Sequence, residues 1–231
     1  VEEQFYLAWP FIVYAMSQTR LSKFCVLMIA GALVARCVAK ANGIDPWAIT
    51  ITTPFRFDAL GMGALVAVMG QQANDQSLRR VGWRMATIGT LAVIGIAIYE
   101  GGYRMDGRLA QTIGFTAFAM LSAGVIAVLV SYGDKPEGIL RVFESKILQH
   151  LGNRSYAIYV MHMPLLVVMT VIYQQKLAAK DRSGTLDVQC YLLAIFVCIV
   201  FAELSWHIFE KQFLKLKKYF PKGAAISSTE S

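Results

Sequence analysis

The feature that most limits how this chain can fold is the spacing of its apolar residues. They gather into runs of roughly 16 to 22 residues parted by short polar stretches, the length of helix that crosses a hydrocarbon core about 30 Å thick. Only 16% of the 231 residues are charged and the mean hydropathy is +0.51. A soluble domain of this size carries nearer a quarter charged residues. The expected fold class is all-α, a polytopic transmembrane helical bundle of about seven membrane helices with one interfacial amphipathic helix.

The seven spans read as Phe5 to Met16, Phe24 to Ala39, Phe57 to Gly70, Val81 to Tyr99, Ala110 to Tyr132, Ser155 to Tyr173 and Val188 to Phe209. Turn-forming residues punctuate the gaps, as in Asn42-Gly43-Ile44-Asp45-Pro46 and Gly101-Gly102. Gly61 and Gly63 make the third span small-faced, which permits close helix contact. From Glu137 to Leu151 the apolar residues Leu140, Phe143, Ile147 and Leu151 recur at helical spacing, which predicts one amphipathic helix at the membrane surface. The segment from Lys211 to Phe220 mixes lysines with aromatics and reads as an anchor for anionic membrane lipids. Residues 1–220 are expected to form the membrane domain and 221–231 a disordered polar tail.

The net charge of +7 does not point to nucleic acid, because the Lys and Arg residues sit in the connections and aromatics do not interleave with them as a stacking surface requires. Topology explains the charge. With alternating spans, fourteen Lys and Arg residues fall to one side and eight to the other. The positive-inside rule then puts the carboxy terminus in the cytoplasm and the Glu2-Glu3 end outside. Cys25, Cys37, Cys190 and Cys198 lie in apolar runs without a CxxC or Cys/His cluster, so neither a disulfide framework nor a metal site is implied. The chain opens Val-Glu-Glu-Gln without Met or a basic leader, and further helices are expected to precede it.

Four segments carry a resemblance. VEEQFYLAWP, PFRFDALGMGALVA, LGNRSYAIYVMHMPLL and ELSWHIFEKQFLKLKK resemble, in order and spacing, the hallmark segments of the acyltransferase-3 family of integral-membrane acyltransferases. The resemblance covers essentially the whole chain as the carboxy-terminal part of such an enzyme. It implies transfer of an acyl group, commonly acetyl, from acyl-CoA on the cytoplasmic side to a hydroxyl of a sugar or envelope glycan. It implies no bound cofactor, acyl-CoA (acetyl-CoA) being the donor substrate. It also places the family's catalytic histidine on an upstream helix, and locates the protein in the inner (cytoplasmic) membrane.

Ionisable groups within apolar spans are costly and so are functional candidates. Acyl transfer to a hydroxyl needs a base, oxyanion donors and a cation for the donor's phosphates. Glu2 and Glu3 point about 100° apart on a helix, so one alone can face a cavity. The resemblance favours Glu3 in support of the absent histidine, against the alternative of an acidic pair at the positive end of a helix dipole. Arg56 and Asp58 flank the start of the third span, either as an interfacial salt bridge or a helix cap, or with Arg56 on an anionic group. His162 precedes Pro164, where the lost backbone bond should kink the helix near Val160 and open a polar cavity beside the ring. The alternative has His162 satisfying the freed carbonyl.

Ser155 and Tyr156 are read as interfacial, with donor contact as the alternative. His150 is expected to face solvent. Arg79, Arg80 and Arg84 serve topology and are candidates for the coenzyme's phosphates. Glu203, His207 and Glu210 share one helix face as a polar stripe, for inter-helix hydrogen bonding or for chemistry. Two other classes compete with the enzyme: a transporter of a small solute, to which broken helices with buried ionisable groups are also suited, and a non-catalytic envelope scaffold.

Overall fold

The computed structural model describes residues 2–102, 107–133, 138–177 and 184–212. Within these it describes the side chains other than those of Glu2, Glu3, Ile139, residues 169–191, Phe209 and Glu210. All regular structure among the described residues is helical. Two compact units divide the chain, residues 1–140 and 141–231.

The first unit holds α1 (Glu2–Ala15), α2 (Gln18–Ala41), α3 (Pro46–Ile51), α4 (Phe57–Gln72), α5 (Asp75–Tyr99) and α6 (Phe115–Tyr132). Two irregular pieces interrupt this series. Thr53–Arg56 is a 3-10 turn running into α4, and Ala110–Gly114 is a π-helix running into α6. The short helix α3 lies inside a stretch that the sequence reads as connection. Pro46 opens it, where the missing N–H costs nothing and the fixed φ suits the first turn. Gly43, just before it, turns the chain at φ +70°.

Three of the described helices are long and apolar enough to cross a membrane: Gln18–Ala41, Asp75–Tyr99 and Ala110–Tyr132, with mean hydropathies of 1.9, 1.6 and 2.3. Helices α1 and α4, at 14 and 16 residues, also coincide with expected spans but are shorter. Large apolar side chains stay exposed along these helices, among them Leu7, Phe11, Leu27, Val34 and Ile98. Such a surface suits lipid rather than water.

Packing in this unit depends on small residues. A β-carbon added at Gly124 of α6 would lie 2.4 Å from the Ala86 backbone nitrogen of α5, and one at Gly89 would lie 2.6 Å from that of Leu121. Helices α5 and α6 thus touch backbone to backbone, as membrane helices do where side chains are absent. Gly61 does the same for α4 against α2, its added β-carbon falling 3.1 Å from the Cys25 carbonyl oxygen. Gly63, expected to behave alike, faces open space.

A 3-10 segment (Gly138–Glu144) runs across the boundary, and the second unit holds α7 (Lys146–Asn153), α8 (Ser155–Leu177), α9 (Gly184–Ser205) and a π-helix (Trp206–Glu210). The expected single amphipathic helix over 137–151 is broken in two. The Ser145 hydroxyl accepts from the Leu148 N–H and so starts a new helix. Helices α8 and α9 coincide with the sixth and seventh expected spans and pack on each other. Residue 137, most of the 211–220 lipid anchor and the whole 221–231 tail lie outside the described residues.

Candidate functional site

The polar residues of the first unit concentrate at one end, where α2 finishes and α4 and α6 begin. Arg36, one turn from the end of α2, is wholly buried. Its Nη2 donates to Asp58 Oδ2 at 2.7 Å and also to the Thr116 hydroxyl. Its Nε donates to the Thr112 carbonyl at 3.1 Å, and Nη1 donates to the Phe55 carbonyl. One guanidinium therefore joins α2, the 3-10 turn, α4 and the π-helical start of α6. The folding reason is direct. Irregular backbone at membrane depth leaves carbonyls that must find donors inside the protein, and a fork of N–H groups supplies several at once.

Both oxygens of Asp58 are engaged by contacts at this end. Oδ2 also accepts from Thr116 Oγ1 at 2.8 Å, and Oδ1 accepts from the adjacent Ala59 N–H at 2.9 Å, within the first turn of α4. It does not pair with Arg56, two residues earlier. Arg56 instead lies over the Phe115 ring at 4.8 Å, with Arg36 approaching the same ring at 5.8 Å. Among the described residues Arg56 meets no carboxylate. Beside this core, Lys40 donates to Gln111 Oε1 at 2.6 Å, and the buried Gln111 donates onward to the Pro46 carbonyl at 3.0 Å.

The amino-terminal motif reaches the same end. Thr53 Oγ1 donates to Gln4 Oε1 at 2.9 Å, which sets the start of α1 beside the turn that carries Arg56. The backbone of Glu2 and Glu3 belongs to α1; their side chains lie outside the described ones. The opposite end of the unit is marked by Gln18 with Gln71 and Gln72, and by Arg79. Arg79 donates to the Ser131 carbonyl at 3.3 Å and stacks on Tyr132 at 3.7 Å, so it is committed to the end of α6. Arg80 and Arg84 are exposed. The two sets of candidates, Arg56 with Asp58 and Arg79 with Arg80 and Arg84, thus lie at opposite ends of one helix bundle.

In the second unit, Glu203 of α9 is the meeting point. Arg154, 8% exposed, donates to it through both Nε and Nη2, the latter at 2.8 Å. His150 Nε2 lies 3.1 Å from Oε2, so this ring is exposed but not free of contact. His207 Nδ1 donates to the Glu203 carbonyl at 2.9 Å, and Arg154 also lies over the Trp206 ring at 5.3 Å. Glu203 and His207 are joined, while the Glu210 side chain lies outside the described ones. His162 binds through Nδ1 to the Tyr159 carbonyl, one residue before the expected Val160, and α8 continues as helix through Pro164. Ser155 and Tyr156 at the start of α8 are exposed.

Sequence reasoning missed Arg36, Gln111, Thr112, Thr116 and Arg154. For Arg36 the signal was present, a lone cation deep in an apolar run. Thr112 and Thr116 look unremarkable in sequence, since hydroxyls are cheap in membrane helices. Among the described residues no group of three or more His, Cys, Asp and Glu side chains could hold a metal ion.

The family model of an acyltransferase domain, acyltransferase-3, matches residues 1–204. The chain is 26% identical over 226 residues to the Bacillus subtilis protein YrhL, provisionally named a peptidoglycan O-acetyltransferase, covering 91% of this chain and 33% of that protein. It is 24% identical over 229 residues to a provisionally named O-acetyltransferase of Staphylococcus aureus strain COL, covering 93% and 35%. It is 24% identical over 218 residues to the peptidoglycan O-acetyltransferase OatA of Listeria monocytogenes, covering 91% and 33%. The chain therefore spans about a third of the length of these relatives. No solved structure matches.

Proposed function

Since this chain belongs to the acyltransferase-3 family of acyltransferase domains, we propose that it forms part of a membrane O-acyltransferase that moves an acetyl group from acetyl-CoA to a hydroxyl of a cell-wall glycan. The acceptor follows the names of the relatives, which act or are named as acting on peptidoglycan. The observation that carries the reading is the end of the first unit where, among the described residues, Arg56 meets no carboxylate while both oxygens of Asp58 are bound elsewhere. A cation that meets no carboxylate among the described residues is placed to receive an anion. Glycan acceptors supply one, as the carboxylate of muramic acid or the phosphate of a lipid carrier.

In this reading the acceptor lies at the Arg56 end, which the excess of basic residues elsewhere assigns to the outer face, with the carboxy terminus cytoplasmic. Glu3, or Glu2, stands at the same end through α1 and supports a histidine supplied from outside this chain. Arg80 and Arg84, at the far end, are placed for the phosphates of the coenzyme. The acceptor hydroxyl loses its proton to the base and its oxygen attacks the acyl carbonyl; the C–S bond of the donor breaks, and the coenzyme leaves as a thiol that takes the proton back from the base. His162, in the second unit, is a further candidate for supporting the chemistry.

The test is chemical. Cells lacking the gene should lose ester-linked acetate from their wall glycan, released and counted after mild alkali. Restoring the gene should return it, and restoring it as Arg56→Gln should return about a tenth or less. Unchanged acetate in the deleted strain would remove the reading.

A further inference from the structure

We propose that Arg36 is a positioning residue for the acyl acceptor: it withdraws Asp58 from Arg56, so that Arg56 keeps its charge for an oxyanion of the acceptor or of its carrier. The inference rests on the reading that this end of the first unit holds the acceptor.

Asp58 follows Arg56 by two residues at the start of α4, and is its nearest carboxylate in the sequence. Both its oxygens are instead taken, by Arg36, Thr116 and the Ala59 N–H. Arg36 acts on Arg56 a second way. The Phe55 carbonyl to which it donates belongs to the peptide bond that leads into Arg56, so the same guanidinium fixes the turn from which Arg56 projects. Phe115 then receives both guanidinium groups, one paired with Asp58 and one that meets no carboxylate among the described residues. Without the charge at position 36, a buried carboxylate would be left unpaired. Arg56, two residues away, is then the cation to which it would turn. In low dielectric such a bond competes directly with a substrate oxyanion.

A purely structural Arg36 and a positioning Arg36 respond differently to removal of Asp58. The measurement uses membranes of cells expressing the protein at its native length, with labelled acetyl-CoA and two probes. One is the N-acetylglucosamine–N-acetylmuramic acid disaccharide on a prenyl diphosphate; the other is the same disaccharide free. Arg36→Gln is expected to raise the acceptor KM about tenfold while kcat changes less than about threefold. Adding Asp58→Asn to that variant should return KM to within about threefold of wild type, since no carboxylate then competes for Arg56. An effect on the diphosphate probe alone makes the bound group phosphate, and an effect on both makes it the muramic carboxylate.

Should Arg36→Gln not accumulate, Arg36→His carries the test, because its charge can be set by pH. Relative to wild type, its KM should be near normal at about pH 5.5 and about tenfold raised at about pH 8. A wild-type KM in Arg36→Gln, a double variant no better than the single, or a flat pH ratio in Arg36→His would each overturn the proposal. Arg56→Gln separates the two levels. If it leaves KM unchanged, the acceptor site is not here and both readings fall. If it raises KM while Arg36→Gln does not, the positioning role alone falls.

Discussion

Arg36 Nη2 lies 2.7 Å from Asp58 Oδ2, and the two side chains are 0% and 2% exposed. They belong to α2 and α4, 22 residues apart, and each finds in the other what its own helix cannot offer. Taking both charges out of water costs several kcal/mol per ion, which their attraction offsets only with good geometry and further hydrogen bonds. Here those further bonds exist, from Thr116, the Ala59 N–H and two backbone carbonyls.

The pair should therefore behave asymmetrically under mutation. Arg36→Met alone strands a buried carboxylate and is expected to cost about 3–5 kcal/mol, whereas Arg36→Met with Asp58→Leu should lie within about 1–2 kcal/mol of wild type. Unfolding of the purified protein in detergent micelles measures both. A double variant as unstable as the single would show that the carbonyl bonds, not the charges, dominate.

At Gly124 the close approach of α6 to α5 leaves no room for a side chain. Gly124→Ala places a β-carbon against the Ala86 backbone and must push the helices apart, at an expected cost of about 1–3 kcal/mol. Gly63→Ala meets nothing within 4 Å and should be neutral or slightly stabilising. Equal melting temperatures for the two variants would contradict the contact.

The helices were legible in the sequence and the site was only partly so. Runs of apolar residues identify α2, α5 and α6 because the length needed to span lipid is a one-dimensional property. Arg56 and Asp58 could be singled out for the same reason, as charges beside an apolar run. Their partnership could not, because Asp58 turns to a residue on another helix rather than to its neighbour. The break at Ser145 was missed because period alone does not reveal a cap. Gln111 and Thr112 acquire a role only once the π-helix turns them toward α2.

In the second unit, Arg154 and Glu203 tie the start of α8 to the end of α9 through two parallel hydrogen bonds. Removing either residue should lower the melting temperature, and removing both should lower it by less than the sum of the two. A full double-mutant cycle with Arg154→Ala and Glu203→Ala reads this directly. Strict additivity would mean the pair contributes nothing to holding the helices together.

Thr116 gives the sharpest probe of the buried cluster, because its hydroxyl has two duties. It donates to Asp58 Oδ2 at 2.8 Å and accepts from Arg36 Nη2. Thr116→Val keeps the shape but leaves an acceptor and a donor of a buried ion pair each one bond short, an expected loss of about 1–3 kcal/mol. Thr116→Ser keeps the hydroxyl and gives up one methyl group, an expected loss nearer 1 kcal/mol. The order Thr above Ser above Val in melting temperature is the expected outcome. A Val variant more stable than the Ser variant would mean that the methyl contact outweighs the hydrogen bonds, and that the ion pair is held by Asp58 and Arg36 without help from α6.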